Sequence, residues 1–376
     1  MRVLRFLGVV ALASLQLSAC SSIARTTPST PAYAQSVRSD AGRFTAAKLF
    51  VLNAQTLQIG IYKSPYSQPP QLFGPAQGVV SQPTSMALGK SGTVFIANCC
   101  AGTPASGVRI FAPPYTKPVR TITQNIVTPL SIAVNSKGWL FVDNEAGSEY
   151  TGNVLVFKPP YTGKPFTIDF KQSLPLNVLV GPNDDLFVAN FGSSSRSQAG
   201  SVDVYKPPYT GKPAQIIRTS TIKGQVSGPG LMAIDQKGVL AVADANYSSF
   251  EVFAPPYRRE TAKITSGISG RINALAISST GSVAESDGTQ RVSVFKPPYR
   301  GKPASPEGPS YNPHSLEFDG NDNLFAAESY GLAVDVFAAP YTGYPILKIT
   351  NGVDGPFQLC FSQGDRGTCG ATTPYR

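Results

Sequence analysis

The chain contains few of the residues on which common enzyme chemistries depend. Its 376 residues include one histidine, one tryptophan and three methionines, and only 14% are charged. A Ser/His/Asp triad could therefore run only through His314. The sequence has no complete Gly-x-x-x-x-Gly-Lys-Ser/Thr phosphate loop, no Gly-x-Ser-x-Gly nucleophile elbow and no Cys/His cluster with metal-binding spacing. These absences argue against the commonest phosphotransferase, α/β-hydrolase and structural-zinc classes.

Long apolar runs are also missing, and no stretch has convincing helical periodicity. The apolar residues 6–12 follow Arg2 and Arg5 and are too few to span a bilayer. They are followed at 17–20 by Leu-Ser-Ala-Cys, which has the form of a processing site. These four residues resemble the bacterial lipobox, and the resemblance implies that Cys20 becomes the first mature residue and carries the lipid. The alternative is an ordinary secretory leader that contains a cysteine.

The N-terminal region predicts the location of the protein. Residues 1–20 are interpreted as a lipoprotein signal peptide, and the Ser/Thr/Pro/Ala-rich residues 21–46 as a flexible tether. Ser21 and Ser22 lack the aspartate that resembles an inner-membrane retention signal. We therefore predict an exported, membrane-anchored lipoprotein of the outer membrane, periplasm or cell surface, whose lipid makes the membrane one partner.

The charge is moderately basic. Without Arg2 and Arg5 the chain keeps 30 basic and 22 acidic residues, a net charge of +8. Outside the cytoplasm such a protein would meet an anionic polysaccharide, lipid head groups or an envelope protein rather than nucleic acid. Simple solubility explains the charge equally well, and we expect a monomer.

Cysteine is scarce, and its number allows disulfides. With Cys20 lipidated, Cys99, Cys100, Cys360 and Cys369 remain. An even number in an oxidising compartment permits pairing. A Cys360–Cys369 bridge is the better candidate, because adjacent cysteines bridge each other only with strain, but the connectivity stays open.

One motif recurs seven times, in forms such as KPPYTGKP and APPYTKP. We call these segments the PPY loops. Their tyrosines are spaced 42 to 49 residues apart and are Tyr66, Tyr115, Tyr161, Tyr209, Tyr257, Tyr299 and Tyr341. Each repeat contains four short β-rich runs separated by turn residues, as residues 175–217 show. One four-stranded sheet cannot bury both faces alone, so the copies must stack, and radial stacking gives a β-propeller.

The two ends of the repeat region complement each other. The first repeat begins at Lys48 without an inner strand, and the last inner-strand motif, at Pro356, has no repeat after it. The C-terminal strand should therefore enter the N-terminal blade and close the ring, leaving no free edge. We predict an all-β, seven-bladed β-propeller of four-stranded antiparallel blades over residues 47–362, followed by a tail at 363–376.

The repeat also resembles known propellers. The pattern Pro-x-x-apolar-Ala-apolar, then Gly-x-Leu-Phe-Val-Ala-Asn and Val-x-Val-Phe, is similar to NHL-type repeats and to the streptogramin lyase and gluconolactonase propellers. The lyase resemblance implies a metal-assisted elimination that uses His and Glu side chains, which a chain with one histidine is not expected to perform. The gluconolactonase resemblance implies a divalent metal held by Glu, Asn and Asp. The pattern specifies the fold well and the function poorly.

A polar residue ends the second strand of every repeat. These residues are Asn53, Asn98, Asn144, Asn190, Asp244, Asp287 and Glu328. They could hold Ca²⁺, another divalent ion or a polar ligand at the channel mouth. Alternatively, each could bond to nearby backbone and start a turn, which recurrence in every blade favours.

His314 and Glu317 lie on the inner strand of the repeat that carries Glu328. Glu317 stands where other repeats have small or apolar residues, so it marks a functional site with a raised pKa or a local register change. The candidate ligand site comprises Asn190, Asp244, Asp287, His314, Glu317 and Glu328.

The PPY loops should connect the third and fourth strands, on the rim opposite the polar residues. Their prolines and glycine favour a stiff turn on which the tyrosine packs. Alternatively, the loops could form a surface for an anionic polysaccharide or an envelope protein. That surface would comprise the basic residues of the loops with Tyr115, Tyr161, Tyr209, Tyr257, Tyr299 and Tyr341.

We interpret the protein as a non-catalytic binding or interaction module that requires no cofactor. One alternative is a metal-dependent lactonase-like or lyase-like enzyme with its site at the channel mouth. Another is a structural envelope protein that assembles through the PPY loops.

Overall fold

The computed structural model describes residues 47–79, 82–99, 106–145, 151–170, 173–192, 200–219, 228–246, 248–287, 291–308, 312–363 and 366–372. The signal peptide, the lipobox Cys20 and the tether lie outside the described residues, as do parts of the tail. Within the described part of the chain, no helix is long and apolar enough to cross a membrane.

The described residues form seven antiparallel sheets, arranged as propeller blades. Blades 1 and 2 contain β1 (Lys48–Asn53), β2 (Gln58–Lys63) and β3 (Gln71–Phe73), then β4 (Pro83–Leu88), β5 (Val94–Asn98), β6 (Gly107–Phe111) and β7 (Pro118–Ile122). Blades 3 and 4 contain β8 (Thr128–Val134), β9 (Leu140–Glu145), β10 (Gly152–Phe157) and β11 (Phe166–Phe170), then β12 (Pro175–Val180), β13 (Leu186–Asn190), β14 (Ser201–Tyr205) and β15 (Gln215–Arg218).

Blades 5 and 6 contain β16 (Pro229–Ile234), β17 (Leu240–Asp244), β18 (Phe250–Phe253) and β19 (Glu260–Ile264), then β20 (Ile272–Ile277), β21 (Val283–Asp287) and β22 (Arg291–Phe295). Blade 7 contains β23 (Pro313–Phe318), β24 (Leu324–Glu328), β25 (Ala333–Phe337) and β26 (Leu347–Ile349), and the chain ends with β27 (Pro356–Gln363), β28 (Arg366–Cys369) and β29 (Ala371–Thr372). Two single-turn 3-10 helices, Pro75–Gln77 and Lys90–Gly92, lie in connections. The outer strand of blade 6 is reduced to one bridge, between Val294 and Ala304.

The strands are apolar on both faces because each blade is covered on both sides. In β13, Leu186 and Val188 pack against Phe141 of blade 3. The alternate residues Phe187 and Ala189 pack against blade 5. Neighbouring strand residues point to opposite faces, so the run Leu-Phe-Val-Ala supplies the core of two blade interfaces at once.

The C-terminal strand closes the ring, which confirms the predicted architecture. Strand β27 pairs with β1 as the inner strand of blade 1, with Phe50 opposite Cys360. The two chain ends thus hold one sheet together, and the propeller consists of seven antiparallel blades.

Side chains also link the inner strands of neighbouring blades. Backbone N–H groups donate to Ser85 from Ile132 (3.3 Å), to Ser131 from Val178 (3.3 Å) and to Ser315 from Leu359 (3.1 Å). These bonds satisfy donors at the channel edge of the sheets that would otherwise lack a partner.

After β27 the chain turns back along the channel, a feature that the repeat pattern did not predict. We call residues 366–372 the strap. Its first part, β28, pairs with β27, and its second part, β29, pairs with the inner strand β20 of blade 6. The strap also contacts the inner strands of blades 2, 5 and 7. It therefore runs through the central channel.

The strap fits closely against the inner strands. Cys369 lies opposite Cys360 and is joined to it by a disulfide. The Gln358 amide donates to the Gly370 carbonyl (3.2 Å) and accepts from the Met86 N–H (2.6 Å). A Cβ atom added to Gly370 would lie 2.2 Å from the Leu316 carbonyl oxygen, so only glycine fits there.

The PPY loops join the third and fourth strands of each blade, as expected. In all seven the proline before the tyrosine follows a cis peptide bond, and the tyrosine has a positive φ. The tyrosine N–H donates to the carbonyl three residues earlier, as from Tyr209 to Lys206 (2.7 Å). This is the geometry of a type VI turn.

The tyrosine rings of these loops point into the blades. Six of their hydroxyls donate to a carbonyl in the turn between the first and second strands, as from Tyr115 to Gly92 (2.8 Å) and from Tyr209 to Asp184 (2.7 Å). Tyr66 instead donates to Ala47 (3.2 Å). Burial raises the pKa of Tyr161 and Tyr257 to about 12. Each PPY loop is therefore fixed to its own blade.

Replacing Gly370 by alanine should weaken the attachment of the strap. We expect Gly370→Ala to lower the melting temperature and to make the C-terminus sensitive to protease, because the new Cβ has no space. Differential scanning calorimetry and limited proteolysis measure the two effects. The matched control is Gly343→Ala, since no atom lies within 4 Å of a Cβ there. Equal effects from the two variants would contradict the tight fit.

Removing one buried hydroxyl tests the role of the tyrosines. Tyr209 donates to Asp184 and accepts from the Asn135 amide at 2.8 Å. We expect Tyr209→Phe to reduce the free energy of unfolding by about 1 to 3 kcal/mol, because these buried groups lose a partner. Urea denaturation gives the value, and Tyr344→Phe, at a residue 62% exposed, is the control. A Tyr209→Phe variant with the same free energy of unfolding as wild type would show that these hydrogen bonds do not stabilise the fold.

Candidate functional site

The propeller has two rims, and different loops and turns lie at each. Because consecutive strands are antiparallel, the turns between first and second strands share one rim with the PPY loops, and we call it the PPY rim. The loops between second and third strands share the other rim with the connections between blades. We call this second one the opposite rim.

The seven polar residues lie at the opposite rim, one in each blade. Each pairs with the first or second residue of its inner strand, as Asn190 does with Pro175, Asp244 with Pro229 and Asn144 with Pro129. This spacing places them around the ring, not together.

Three of these residues fasten the connection that enters their own blade. Asn53 accepts from the Asp354 N–H (3.0 Å) and donates to Gly352 (3.0 Å). Asn144 accepts from the N–H groups of Val127 and Thr128, and Asp287 from that of Ser269 (2.8 Å). Their side chains therefore take part in the stacking of the blades.

Two others bond within their own turn. The Asn190 side chain accepts from the Gly192 N–H (3.3 Å), and that of Asp244 from the Asn246 N–H (2.8 Å). Bonds to the backbone two residues ahead are the Asx-turn pattern, so these contacts give both residues a role in starting a turn.

His314 lies at the opposite-rim end of β23. Its Nε2 is 3.3 Å from the Asn312 amide, and its ring lies 6.0 Å from that of Phe357. Burial lowers the pKa of His314, which favours the neutral imidazole.

Glu317 lies further along the same strand. It pairs with Phe325 in regular register, whereas Glu328 lies opposite Pro313. The four residue steps from position 313 to position 317 separate the two levels by about 13 Å. Glu317 is half-buried in the channel, where burial raises its pKa to about 8 and a hydrogen bond from Thr368 of the strap opposes the rise.

These residues do not fit a shared metal ion. Within the described chain, no group of three or more His, Cys, Asp or Glu side chains could hold one. The acidic members of the candidate site lie in different blades or at different depths. The described histidine, cysteine and acidic side chains therefore provide no group of three for the divalent metal that the gluconolactonase resemblance implies.

Glu285 is a buried carboxyl that the sequence patterns did not single out. It is fully buried on β21 between Leu275 and Ser293. Burial raises its pKa to about 8, Asp287 adds to the rise, and a bond from Ser293 opposes it. The equivalent positions in other blades are apolar, for example Val142, Val188 and Val242, and that comparison could have found it.

The PPY rim carries most of its exposed charge as lysine and arginine. The rings of Tyr115, Tyr209 and Tyr341 are buried and those of Tyr161, Tyr257 and Tyr299 half-buried, so they do not form the exposed part of the predicted interaction surface. The basic residues of the rim are exposed and are Lys63, Lys90, Lys117, Lys137, Lys158, Lys164, Lys206, Lys212, Lys237, Arg258, Arg259, Lys296, Arg300 and Lys302.

The aspartates of the same rim are partly or fully buried. The Asp184 carboxylate accepts from the backbone N–H of Ser136 (3.0 Å) and from its hydroxyl. Asp322 binds Ser279 of blade 6 in the same way, at 2.8 and 2.9 Å. These carboxylates link neighbouring blades, so the exposed tips around them are predominantly cationic.

Known proteins share the fold of this chain at low sequence identity. No family model and no curated protein matches it. The virginiamycin B lyase of Staphylococcus aureus, solved as a catalytically inactive histidine-to-alanine variant with quinupristin, is 12% identical with a TM-score of 0.55, over 78% of this chain and 95% of that one. A protein from Lactobacillus plantarum is 14% identical with a TM-score of 0.61, over 85% and 99%. These likenesses support the propeller fold alone.

The pH dependence of stability tests the burial of Glu285. The folded-state pKa is raised, so the folded chain binds more protons than the unfolded chain between about pH 4.5 and 8. Stability should fall as the pH rises through this window. We expect Glu285→Gln to remove on the order of 2 to 4 kcal/mol of that fall, measured by denaturation at pH 5 and 8.5. Glu260→Gln, at an exposed residue, should show the same fall of stability with pH as wild type. A Glu285→Gln variant whose stability falls as much as that of wild type would contradict the raised pKa of Glu285.

Proposed function

We propose that the protein is an exported, lipid-anchored propeller that acts as a non-catalytic binding module, and that it meets its partner through its outer surface and not through the channel. The observation that supports this most is the strap. The chain places its own residues 366–372 along the channel and joins them to blade 1 by the Cys360–Cys369 disulfide.

The strap competes with any ligand for the inner strands. It pairs with β27 and β20, and Gly370 lies against the Leu316 carbonyl of blade 7. Thr368 of the strap bonds to Glu317, the most unusual carboxyl of the channel. A substrate that reached Glu317 from the strap side would have to displace this contact, at the cost of backbone pairing that is already satisfied.

The polar residues of the opposite rim support the same proposal. Asn53, Asn144 and Asp287 already bond to the backbone of incoming connections. A ligand that recruited them would break the contacts that seat one blade against the next. By contrast, the basic tips of the PPY rim are exposed and can meet a partner without any rearrangement.

A metal-dependent lyase-like or lactonase-like activity is the second candidate. Two observations favour it: the shared fold with virginiamycin B lyase, and Glu317, whose raised pKa of about 8 would suit proton transfer. The virginiamycin B lyase variant is catalytically inactive after replacement of a single histidine by alanine. In this chain His314 is the only histidine, and it lies toward the other end of the strand from Glu317.

Metal content and envelope binding separate the two candidates. We expect the mature chain without its lipid, residues 21–376, to hold no stoichiometric divalent ion by mass spectrometry and to keep its melting temperature in EDTA. It should sediment with washed cell-envelope fragments, and Glu317→Gln should sediment equally, because the channel is not the binding surface. One tightly held ion per chain, with a lower melting temperature after chelation and no binding by Glu317→Gln, would favour the enzyme.

A further inference from the structure

The N-terminal segment joins the propeller at the PPY rim. Strand β1 begins at Lys48, which pairs with Lys63, the last residue of β2 before the first PPY loop. The Tyr66 hydroxyl of that loop donates to the Ala47 carbonyl. Whatever lies before residue 47 is therefore attached to the rim that carries the basic tips.

The charge of the described residues is strongly divided between the two rims. The PPY rim has 15 exposed lysines and arginines, the 14 named above and Lys48, against the exposed acidic residues Glu260 and Glu307 close to it. At the opposite rim the exposed basic residues are Arg218, Lys263, Arg271 and Arg291, and they share it with the seven polar residues that end the second strands, with Asp354 and with the exposed Asp169. Such an asymmetry orients a molecule in the field of a charged surface.

We propose that the PPY rim lies flat against an anionic lipid bilayer. This inference deepens the proposed function and rests on it, since it names the surface and the partner of the binding module. The basic tips are distributed over six of the seven blades, so many of them can reach one plane at the same time. Each lysine or arginine near an anionic bilayer strengthens binding about fivefold, so a ring of such tips gives substantial, salt-sensitive binding.

The chemistry of the rim fits lipid head groups better than sugar rings. The tyrosines that follow the cis-prolines are turned inward and bonded to the strand turns, which leaves Tyr344 of the blade 7 loop, 62% exposed, as the exposed ring that could stack on a saccharide. What remains exposed is mainly cationic and is carried on the similar turns of six blades. A tether at the same rim would also hold this face at the membrane and raise its local concentration there.

The single tryptophan reports on this orientation. Trp139 lies at the PPY rim in a turn of blade 3, half-buried, with the Lys158 ammonium 4.4 Å from its ring centre. Blade strands of five or six residues place the opposite rim about 15 to 20 Å away. A quencher attached to lipid head groups should therefore reach Trp139 only when the PPY rim faces the bilayer.

The experiment uses residues 21–376 without lipid and vesicles of phosphatidylcholine with or without 30% phosphatidylglycerol. We expect the chain to bind only the anionic vesicles, with Trp139 quenched by spin-labelled head groups. The triple variant Lys164→Gln, Lys212→Gln, Lys302→Gln should bind about 10- to 100-fold more weakly. The control triple variant Arg218→Gln, Arg271→Gln, Arg291→Gln removes the same charge at the opposite rim and should bind within about twofold to threefold of wild type. Melting temperatures confirm that both variants fold.

Three results would overturn the inference. One is equal weakening in both triple variants, which would mean that net charge alone drives binding. Another is vesicle binding without quenching of Trp139. The third is binding to dextran sulfate with no binding to anionic vesicles, which would assign the rim to a polysaccharide. In each case the proposed binding role could still stand, because envelope sedimentation without a metal tests it separately.

Discussion

Every blade of this protein is apolar on both faces, and the rest of the structure follows from that constraint. A strand such as Leu186–Asn190 supplies side chains to the interfaces with both neighbours, so no blade is stable without the next and the ring must close. Closure is achieved by pairing β27 with β1. Polar side chains help to hold the ring. Serines of the inner strands, Asn53 and Asn144 at the ends of second strands, and the tyrosine hydroxyls of the PPY loops bond to backbone.

Much of this organisation could be predicted from the sequence, because it is repeated. Seven PPY loops, four β-rich runs per repeat and two complementary ends were enough to predict the blade number and the closure. The strap could not be predicted in this way, since residues 366–372 contain no repeat motif and its path depends on contacts with five blades. Cys369, nine residues after Cys360, was the one signal of it. The buried Glu285 was not predicted, although the equivalent positions of other blades are apolar, for example Val142, Val188 and Val242.

The candidate site was predicted only in part. The polar residues do lie at the mouth of the channel, but one per blade, and their bonds to entering backbone connections explain why the same residue type recurs. His314 and Glu317 share a strand but lie at different depths of it. The tyrosines recur because each one fixes the PPY loop to its own blade, a contact that every blade needs. The proposed interaction surface is the set of basic loop tips, which are exposed and are not used to hold the blades together.

These observations divide the protein into a channel occupied by its own chain and an outer rim that is exposed and cationic. Hydrogen–deuterium exchange on residues 21–376, with and without phosphatidylglycerol vesicles, tests that division most directly. The account predicts slower exchange in the PPY loops and in the turns beside them, such as residues 135–139 and 206–214, and no change in residues 366–372. Protection of the strap or of the inner-strand ends, with the PPY loops unchanged, would contradict it.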